Sequence, residues 1–217
     1  MNETPASLWT TTRLSIFPLP GALLFPGMHL PLHIFEPRYR ALVADATARD
    51  RRIGMIQPRA HASGGPSDGK PALFDIGCVG RIAEVEAMDD GRYNLILQGV
   101  ALFRVVRELD VTTAFRQVEA ELLPVREDEV LSSAHRAALE SESRAFAEAQ
   151  GYQVDWAQVE RLDDERLVNG IAQIAPFDAA AKQALLEAPD LVTRAELIVQ
   201  LLGFFGRHDG DEQVTLQ

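Results

Sequence analysis

Gly64, Gly69 and Lys70 stand at the G-x-x-x-x-G-K spacing of a phosphate-binding loop. Such a loop also needs a strand before it, a helix after the lysine, and a Ser or Thr that holds magnesium. Pro71 occupies the hydroxyl position, and proline offers neither a ligand for the ion nor a backbone N–H for the phosphate. The segment has the composition of a surface loop, so we do not expect the chain to hydrolyse a nucleotide.

Two histidines, His29 and His33, have the spacing of metal ligands on a helix. Pro31 lies between them and excludes a helix interior, and in an extended segment their backbones are about 13 Å apart, too far to share one ion. No cysteine or carboxylate cluster accompanies them, so structural or surface roles are favoured over metal binding. The remaining histidines lie in a predicted loop, helix and tail: His61, His135 and His208.

Candidate nucleophiles lack the neighbours that would activate them. Arg81 is the only basic residue close to Cys78, and an unactivated free cysteine is usually a small buried hydrophobe. Ser132 and Ser133 precede His135 without the strained G-x-S-x-G turn of a nucleophile elbow. Adjacent carboxylates occur only where turns and helix caps favour Asp, at 89–90 and 163–164. We therefore expect no catalytic residue, no cofactor and no metal, and a protein that is not an enzyme.

Composition limits the class of protein. The chain has 217 residues, of which 47% are hydrophobic and 24% charged, as in ordinary globular proteins. No apolar run approaches the roughly 20 residues that span a bilayer, and the first residues lack the basic and apolar regions of a signal peptide. A single cysteine excludes an internal disulfide and favours a reducing compartment. We expect a cytoplasmic protein that does not associate with membranes.

The net charge of −11 is unevenly distributed. Residues 1–123 carry 13 Lys or Arg and 14 Asp or Glu, whereas residues 124–217 carry 8 and 18. This asymmetry predicts two differently built subdomains, 1–123 and 124–217. The excess of acid also weighs against nucleic-acid binding, because neutralising phosphates needs a surplus of Lys and Arg.

The first subdomain is predicted to be β-rich with one helix. Residues 77–88 and 92–99 alternate polar and apolar side chains on either side of a DDG turn, which predicts a hairpin. Further strands are predicted at 14–20, 28–36, 51–57, 101–109 and 115–123. Strands this short and close favour a small barrel or curled sheet over parallel βαβ units. The helix begins at Pro37, and its apolar face comprises Tyr39, Leu42, Val43 and Ala46.

The second subdomain is predicted to be an acidic helical bundle whose charges form the solvated face. Helices are predicted over 129–150, over 163–175, after the cap residue Asp178, and after Pro189 and Asp190. In the second of these, Leu167, Ile171 and Ile174 recur at helical spacing. The apolar stripe of the last helix comprises Leu191, Ile198, Leu201, Leu202 and Phe205. The fold class is therefore α+β, with a β-rich part followed by helices.

The stretch FPLPGALLFPGMHLPLHIFEPRYR, residues 17–40, combines five prolines with dense Phe, Leu and Met before a charged helix start. It resembles the opening of the N-terminal, substrate-binding domain of the ATP-dependent Lon protease, where a "lPLFPLP…vLFPG…lPLhIFEpRYr" strand leads into the first helix. Similar segments follow at 51–56, 77–105 and 177–202. The resemblance implies a PUA-like pseudo-barrel followed by a helical bundle.

In that family the full-length protease adds an ATPase module and a Ser–Lys peptidase after this domain. The present sequence ends at Gln217, so we expect a stand-alone, non-catalytic domain that binds polypeptide. Its partners would be unfolded segments or a protein, for example of a protease or chaperone system, and its oligomeric state stays open. The expected contacts, on a proline-interrupted edge strand, are Phe25, Pro26, Met28, Leu30 and Leu32. The same side chains could instead fill the core.

Two other functions remain open at this stage. PUA-like folds often bind RNA, and a basic groove for it would use Arg49, Arg51, Arg52 and Arg59. Binding to RNA at low salt would test that reading. An enzyme acting on a small molecule is the third possibility, and it lacks a catalytic set of residues.

Overall fold

The computed structural model describes residues 11–59, 71–124 and 129–208. Contacts divide the chain into two compact units, Met1–Val125 and Arg126–Gln217, which are treated one at a time. The phosphate-loop pattern at 64–70, His61 and the tail beyond residue 208 lie outside the described residues.

Over its described residues, 11–59 and 71–124, the first unit contains a six-stranded sheet and one helix. Its elements are β1 (Thr11–Pro18), β2 (His29–Ile34), α1 (Pro37–Ala48), β3 (Arg52–Ile56), β4 (Ile76–Ala87), β5 (Tyr93–Glu108) and β6 (Gln117–Leu122). The second unit contains helices in the part of it that the structure describes. The predicted α+β class, β-rich first and helical afterwards, is confirmed.

The sheet closes on itself and leaves one strand outside the closure. The strand order is β2-β5-β4-β3-β1-β6, and β5 also pairs with β6. One side of β5 pairs with β2 over Tyr93–Gln98 and with β6 over Phe103–Glu108. The closed part is therefore β5-β4-β3-β1-β6, while β2 extends the sheet beside the first half of β5.

Two features of this sheet differ from the prediction. The segments predicted as separate strands at 92–99 and 101–109 form the single long strand β5, because the chain runs extended through Gly99 and Val100. In addition, β1 and β3 pair in parallel, with β2 and α1 between them in the sequence. The sheet is therefore mixed, and its one parallel pair was not predicted.

Two hydrophobic cores lie on opposite faces of the sheet. One is formed by residues that alternate into the closed part: Leu14, Ile16, Ile56, Val79, Phe103, Val118 and Ala120. The other packs the opposite face against α1 and includes Phe17, Ile53, Met55, Cys78, Ile82, Leu95 and Leu97. The predicted apolar face of α1 is confirmed, since its buried residues are Tyr39, Leu42, Val43 and Ala46.

The second unit is built from five helices within residues 129–208. They are α2 (Ser133–Ala149), α3 (Trp156–Val159), α4 (Asp164–Ile174), α5 (Ala179–Glu187) and α6 (Leu191–His208). Short polar side chains cap them: Asp178, for example, accepts a hydrogen bond from the Ala181 N–H at 2.7 Å. The predicted cap at Asp178 is thus confirmed.

The buried face of α4 agrees with the predicted stripe at Leu167 and differs from it at Ile174. Ile174 is 79% exposed, whereas the buried residues are Leu167, Val168, Asn169 and Ala172. Asn169 is buried because it receives a partner: the guanidinium of Arg194 in α6 donates from Nη1 to its Oδ1 at 2.9 Å. The same guanidinium donates from Nε to the Leu185 carbonyl at 2.8 Å. One buried arginine therefore ties α4, α5 and α6 together.

No helix in the described ranges is long and apolar enough to cross a membrane.

Candidate functional site

The five residues predicted to contact polypeptide occupy different environments. Phe25 is 0% exposed, so its side chain belongs to the core and offers no contact surface. Met28, Leu30 and Leu32 are half-buried against the core beneath α1, and Pro26 is also half-buried. The alternative that these side chains fill the core is therefore correct for Phe25 and partly correct for Met28, Leu30 and Leu32.

β2 is an edge strand, as its proline predicted. Among the described strands it pairs with β5 alone, with Pro31 opposite Ile96 and His33 opposite Asn94. The segment that leads into it is fixed by two backbone hydrogen bonds, from the Gly27 N–H to the Gly99 carbonyl at 3.0 Å and from the Gly99 N–H to the Met28 carbonyl at 2.8 Å.

Two edges of the sheet bear features that oppose the addition of another strand. Pro31 has no N–H to donate from β2. The last part of β4 lies beyond its pairing with β3, which ends at Arg81, and a register shift interrupts it between Ile82 and Glu84. Prolines and bulges are devices by which proteins protect sheet edges. The faces of this part of the sheet are better suited than its edges to contact another molecule.

A groove of about 660 Å³ crosses β2, β5 and β4. Its lining consists of Pro31, Leu32, His33, Glu84, Val85, Glu86, Asn94, Leu95 and Ile96. Leu95 and Leu97 point to the core beneath α1, and side chains alternate along a strand, so Asn94 and Ile96 point to the other face. The groove lies on the sheet face opposite α1, because six of its nine lining residues point there: Pro31, His33, Glu84, Glu86, Asn94 and Ile96.

The groove has an apolar floor and a polar row beside it. Ile96 is paired with Pro31 on one side and with Glu84 on the other, so these residues form one row across the three strands. In the next row, Asn94 Nδ2 donates to the Glu86 carboxylate at 3.3 Å. Asn94 Oδ1 therefore accepts from His33 Nδ1 at 2.8 Å, which fixes the tautomer of the imidazole.

Phe35 adds an exposed aromatic ring just after β2. It is 61% exposed and stacks on His33, with ring centroids 6.3 Å apart. Phe35, Ile96 and the two glutamates of β4 were not among the predicted contact residues. The alternation in β5 does identify Ile96 as facing away from Leu95 and Leu97, but the sequence gives no cross-strand register that would place it beside Pro31.

The candidate nucleophiles are in structural positions. Burial raises the pKa of the Cys78 thiol to about 12, so this sulfur is neutral and unreactive. Ser132 caps α2, where its hydroxyl accepts from the His135 N–H at 3.1 Å. His135 Nε2 lies 3.3 Å from the Glu196 carboxylate on α6. Each of these groups has a role in packing or capping.

The two histidines with metal-ligand spacing, His29 and His33, do not form a metal site in the part of the chain that the structure describes. His29 and His33 lie at the two ends of an extended segment, as Pro31 predicted. Within the described ranges, no three His, Cys, Asp or Glu side chains are grouped so that they could hold an ion.

The arginines proposed for RNA binding are engaged within the protein. Three of them pair with carboxylates: Arg49 with Asp45, Arg52 with Asp50, and Arg59 with Asp75. Arg51 donates from Nε and Nη2 to the Ile82 carbonyl at 3.1 and 3.0 Å. They do not supply the surplus positive charge that phosphate recognition requires.

The chain is similar to the N-terminal part of several longer proteins. It is 30% identical over 203 residues to Lon protease 2 of Myxococcus xanthus, covering 87% of this chain and 23% of the relative. It is 28% identical over 195 residues to the Lon protease of Anaeromyxobacter dehalogenans, with the same coverage of 87% and 23%. The chain thus spans about a quarter of the length of these relatives.

Solved structures share the fold. A Lon N-terminal domain protein from Xanthomonas campestris superposes with a TM-score of 0.64 at 25% identity, covering 89% of this chain and 98% of that one. The N-terminal domain of a Mycobacterium avium complex Lon protease gives a TM-score of 0.65 at 18% identity, covering 88% and 98%. The second likeness shows the fold alone.

The family model for the substrate-binding domain of the ATP-dependent protease La (Lon) matches residues 13–203. The match begins within β1, ends within α6 and includes every element between them. The resemblance inferred from residues 17–40 is confirmed. This chain belongs to the Lon substrate-binding domain family.

Proposed function

We propose that this chain binds extended polypeptide segments in the groove that crosses β2, β5 and β4. The observation that carries the proposal is an open groove of about 660 Å³ with Pro31 and Ile96 side by side in its floor. The family to which the chain belongs is described as substrate-binding, and its longer relatives are proteases, whose substrates are polypeptides.

The proposed mode of binding is contact with a sheet face. Apolar side chains of an extended segment would cover Ile96 and Pro31, and Phe35 would add an aromatic contact at the end of β2. Exposed apolar surface of this kind gives association through the hydrophobic effect, without demanding one sequence. Met28, Leu30 and Leu32 pack against the core on the α1 side of the sheet, behind the groove floor.

We also propose that the chain itself makes and breaks no bonds. The support is local: its thiol is buried and neutral, Ser132 is a helix cap, and His135 pairs with a glutamate. Recognition would then be coupled to hydrolysis through a protease or chaperone partner. A cytoplasmic location fits the single reduced cysteine, which is buried in the core.

Binding to a permanently unfolded protein tests the proposed function. Ribonuclease A, kept unfolded by reduction and alkylation of its cysteines with uncharged iodoacetamide and labelled with fluorescein, serves as the probe, and fluorescence anisotropy gives Kd. We expect measurable binding and a loss of about tenfold in affinity for Ile96→Asn, because a buried apolar contact is replaced by an amide.

Val106→Asn is the matched control, since Val106 is an exposed valine on the same strand β5 and does not line the groove. It should leave Kd unchanged. The proposal is wrong if the wild-type chain does not bind the probe, or if both variants bind as the wild type does.

A further inference from the structure

Two carboxylates in the lining of the groove form no ion pair with the side chains that the structure describes. Glu84 is exposed, and its carboxylate makes no hydrogen bond or ion pair with the residues that the structure describes. Glu86 accepts one long bond, from Asn94 at 3.3 Å. Two arginines of the same hairpin have other partners: Arg81 donates to the neutral amide of Gln98 at 3.1 Å, and Arg92 pairs with Asp90 at 2.5 Å while its Nη1 lies 3.5 Å from His33 Nε2.

These carboxylates lie at a fixed distance from the apolar floor. Ile96 is the cross-strand neighbour of both Pro31 and Glu84, and adjacent strands are about 4.8 Å apart. The row from Pro31 to Glu84 is therefore about 10 Å long. In an extended segment, side chains on one face repeat about every 7 Å, and a lysine or arginine side chain extends further still.

We infer that the groove selects polypeptide segments in which an apolar residue and a Lys or Arg stand two positions apart in the sequence. This inference rests on the proposed function, whose substrate class it narrows. The apolar side chain covers Pro31 and Ile96, and the cation lies between the carboxylates of Glu84 and Glu86. The single cation pairs with both carboxylates. Neither carboxylate becomes buried, so loss of hydration opposes the pairing only weakly.

Strand addition at the edge is a less favourable arrangement, because Pro31 interrupts the donors of β2 and an added strand would lie three strand spacings from Glu84.

A matched set of peptides tests the inference on the full chain. Fluorescein-labelled peptides of repeating Leu-Ser-Lys sequence are compared with the same peptides bearing acetyl-lysine, and with a version bearing Glu. Acetyl-lysine keeps the length of the side chain and removes its charge. We expect the lysine peptide to bind about fivefold more tightly than the acetylated one, and the Glu peptide to bind most weakly.

Variants identify the carboxylates responsible. The double variant Glu84→Gln with Glu86→Gln should remove the preference for lysine, and raising the salt concentration should reduce that preference in the wild type. Asp110→Asn is the control, because Asp110 is an exposed carboxylate between β5 and β6 that does not line the groove. It should preserve the preference.

The outcomes separate this inference from the proposed function. If all three peptides bind the wild type equally and Ile96→Asn weakens all of them, charge selection is wrong and polypeptide binding stands. A lysine preference that survives in the double variant also overturns the inference. If no peptide binds, the inference and the proposed function both fail.

Discussion

The carbonyl oxygen of Phe25 lies 2.0 Å from the position that a Cβ on Gly99 would occupy. Side-chain carbons essentially never come within 3.0 Å of a neighbour, so only glycine allows this approach. The segment that follows Phe25 begins β2, and the Gly99 backbone is its hydrogen-bond partner. The edge strand of the groove is therefore positioned by the absence of a side chain in the middle of β5.

Gly99→Ala should lower the free energy of unfolding by about 2–3 kcal/mol, because the clash is with backbone and cannot be relieved by a rotamer change. Urea denaturation followed by circular dichroism measures the loss. Gly206→Ala is the control: its added Cβ would lie 3.6 Å from Phe146, an ordinary contact, within helix α6. We expect it to be neutral or slightly stabilising. Equal effects of the two substitutions would contradict the packing described for Gly99.

Arg194→Met should destabilise the helical unit by about 3 kcal/mol, because it removes charge-assisted donors from two buried acceptors, Asn169 Oδ1 and the Leu185 carbonyl. Combining it with Asn169→Leu should recover part of the loss, since the amide then no longer needs that donor. Arg166→Met is the control at an exposed arginine of α4, with an expected change below about 0.5 kcal/mol. Additive losses in the double variant would show that the two side chains act independently.

Cys78 predicts a loss of stability in alkali. Burial raises the pKa of its thiol from 9.0 to about 12 in the folded chain. Between these values the unfolded chain releases a proton that the folded chain retains, so stability falls as pH rises, by about 1 kcal/mol per pH unit. Denaturation measured at several alkaline pH values should show this slope in the wild type and a shallower one in Cys78→Ala. A slope that is identical in the two chains would exclude ionisation of this thiol as its cause.

Asp164 predicts a loss of stability in acid. Burial opposes its charge, but the Leu131 N–H at 2.8 Å and the Arg136 guanidinium at 2.6 Å outweigh that effect and lower the pKa of the carboxyl. The contribution of Asp164 to the free energy of unfolding is therefore present above the ordinary pKa of an aspartate and is lost as pH falls below about 4. Asp164→Asn should cost about 1–2 kcal/mol near neutral pH and leave a weaker dependence on acid. An unchanged acid transition in this variant would count against the assignment.

Sequence patterns predicted the features that depend on local periodicity. The buried face of α1 followed from the spacing of Tyr39, Leu42, Val43 and Ala46, and the direction of the side chains over residues 93–98 of β5 followed from their alternation. Cys78 was predicted to be a core residue because nothing nearby would activate it, and it is buried. In each instance the determining interactions lie within one helix or hairpin.

Features that depend on tertiary partners could not be predicted in the same way. Ile174 has the spacing of the apolar stripe of α4 and is nevertheless exposed. Asn169 on the same helix is buried, because Arg194 from α6 donates to its amide oxygen. The groove likewise brings together Pro31, Glu84 and Ile96 from three strands whose register depends on bulges and turns. Phe25 was placed in the candidate site because its apolar character does not distinguish a core position from a contact surface.

Pro31 and the bulge before Glu84 have a consequence for a protein that would hold non-native chains. Such clients readily form cross-β aggregates, which grow by docking onto any unprotected strand margin. Pro31 on β2 and the bulge before Glu84 on β4 each interrupt the row of backbone donors and acceptors at their edge. Under the proposed function, a client would contact the sheet face and be released from it, while neither edge would act as a template for aggregation.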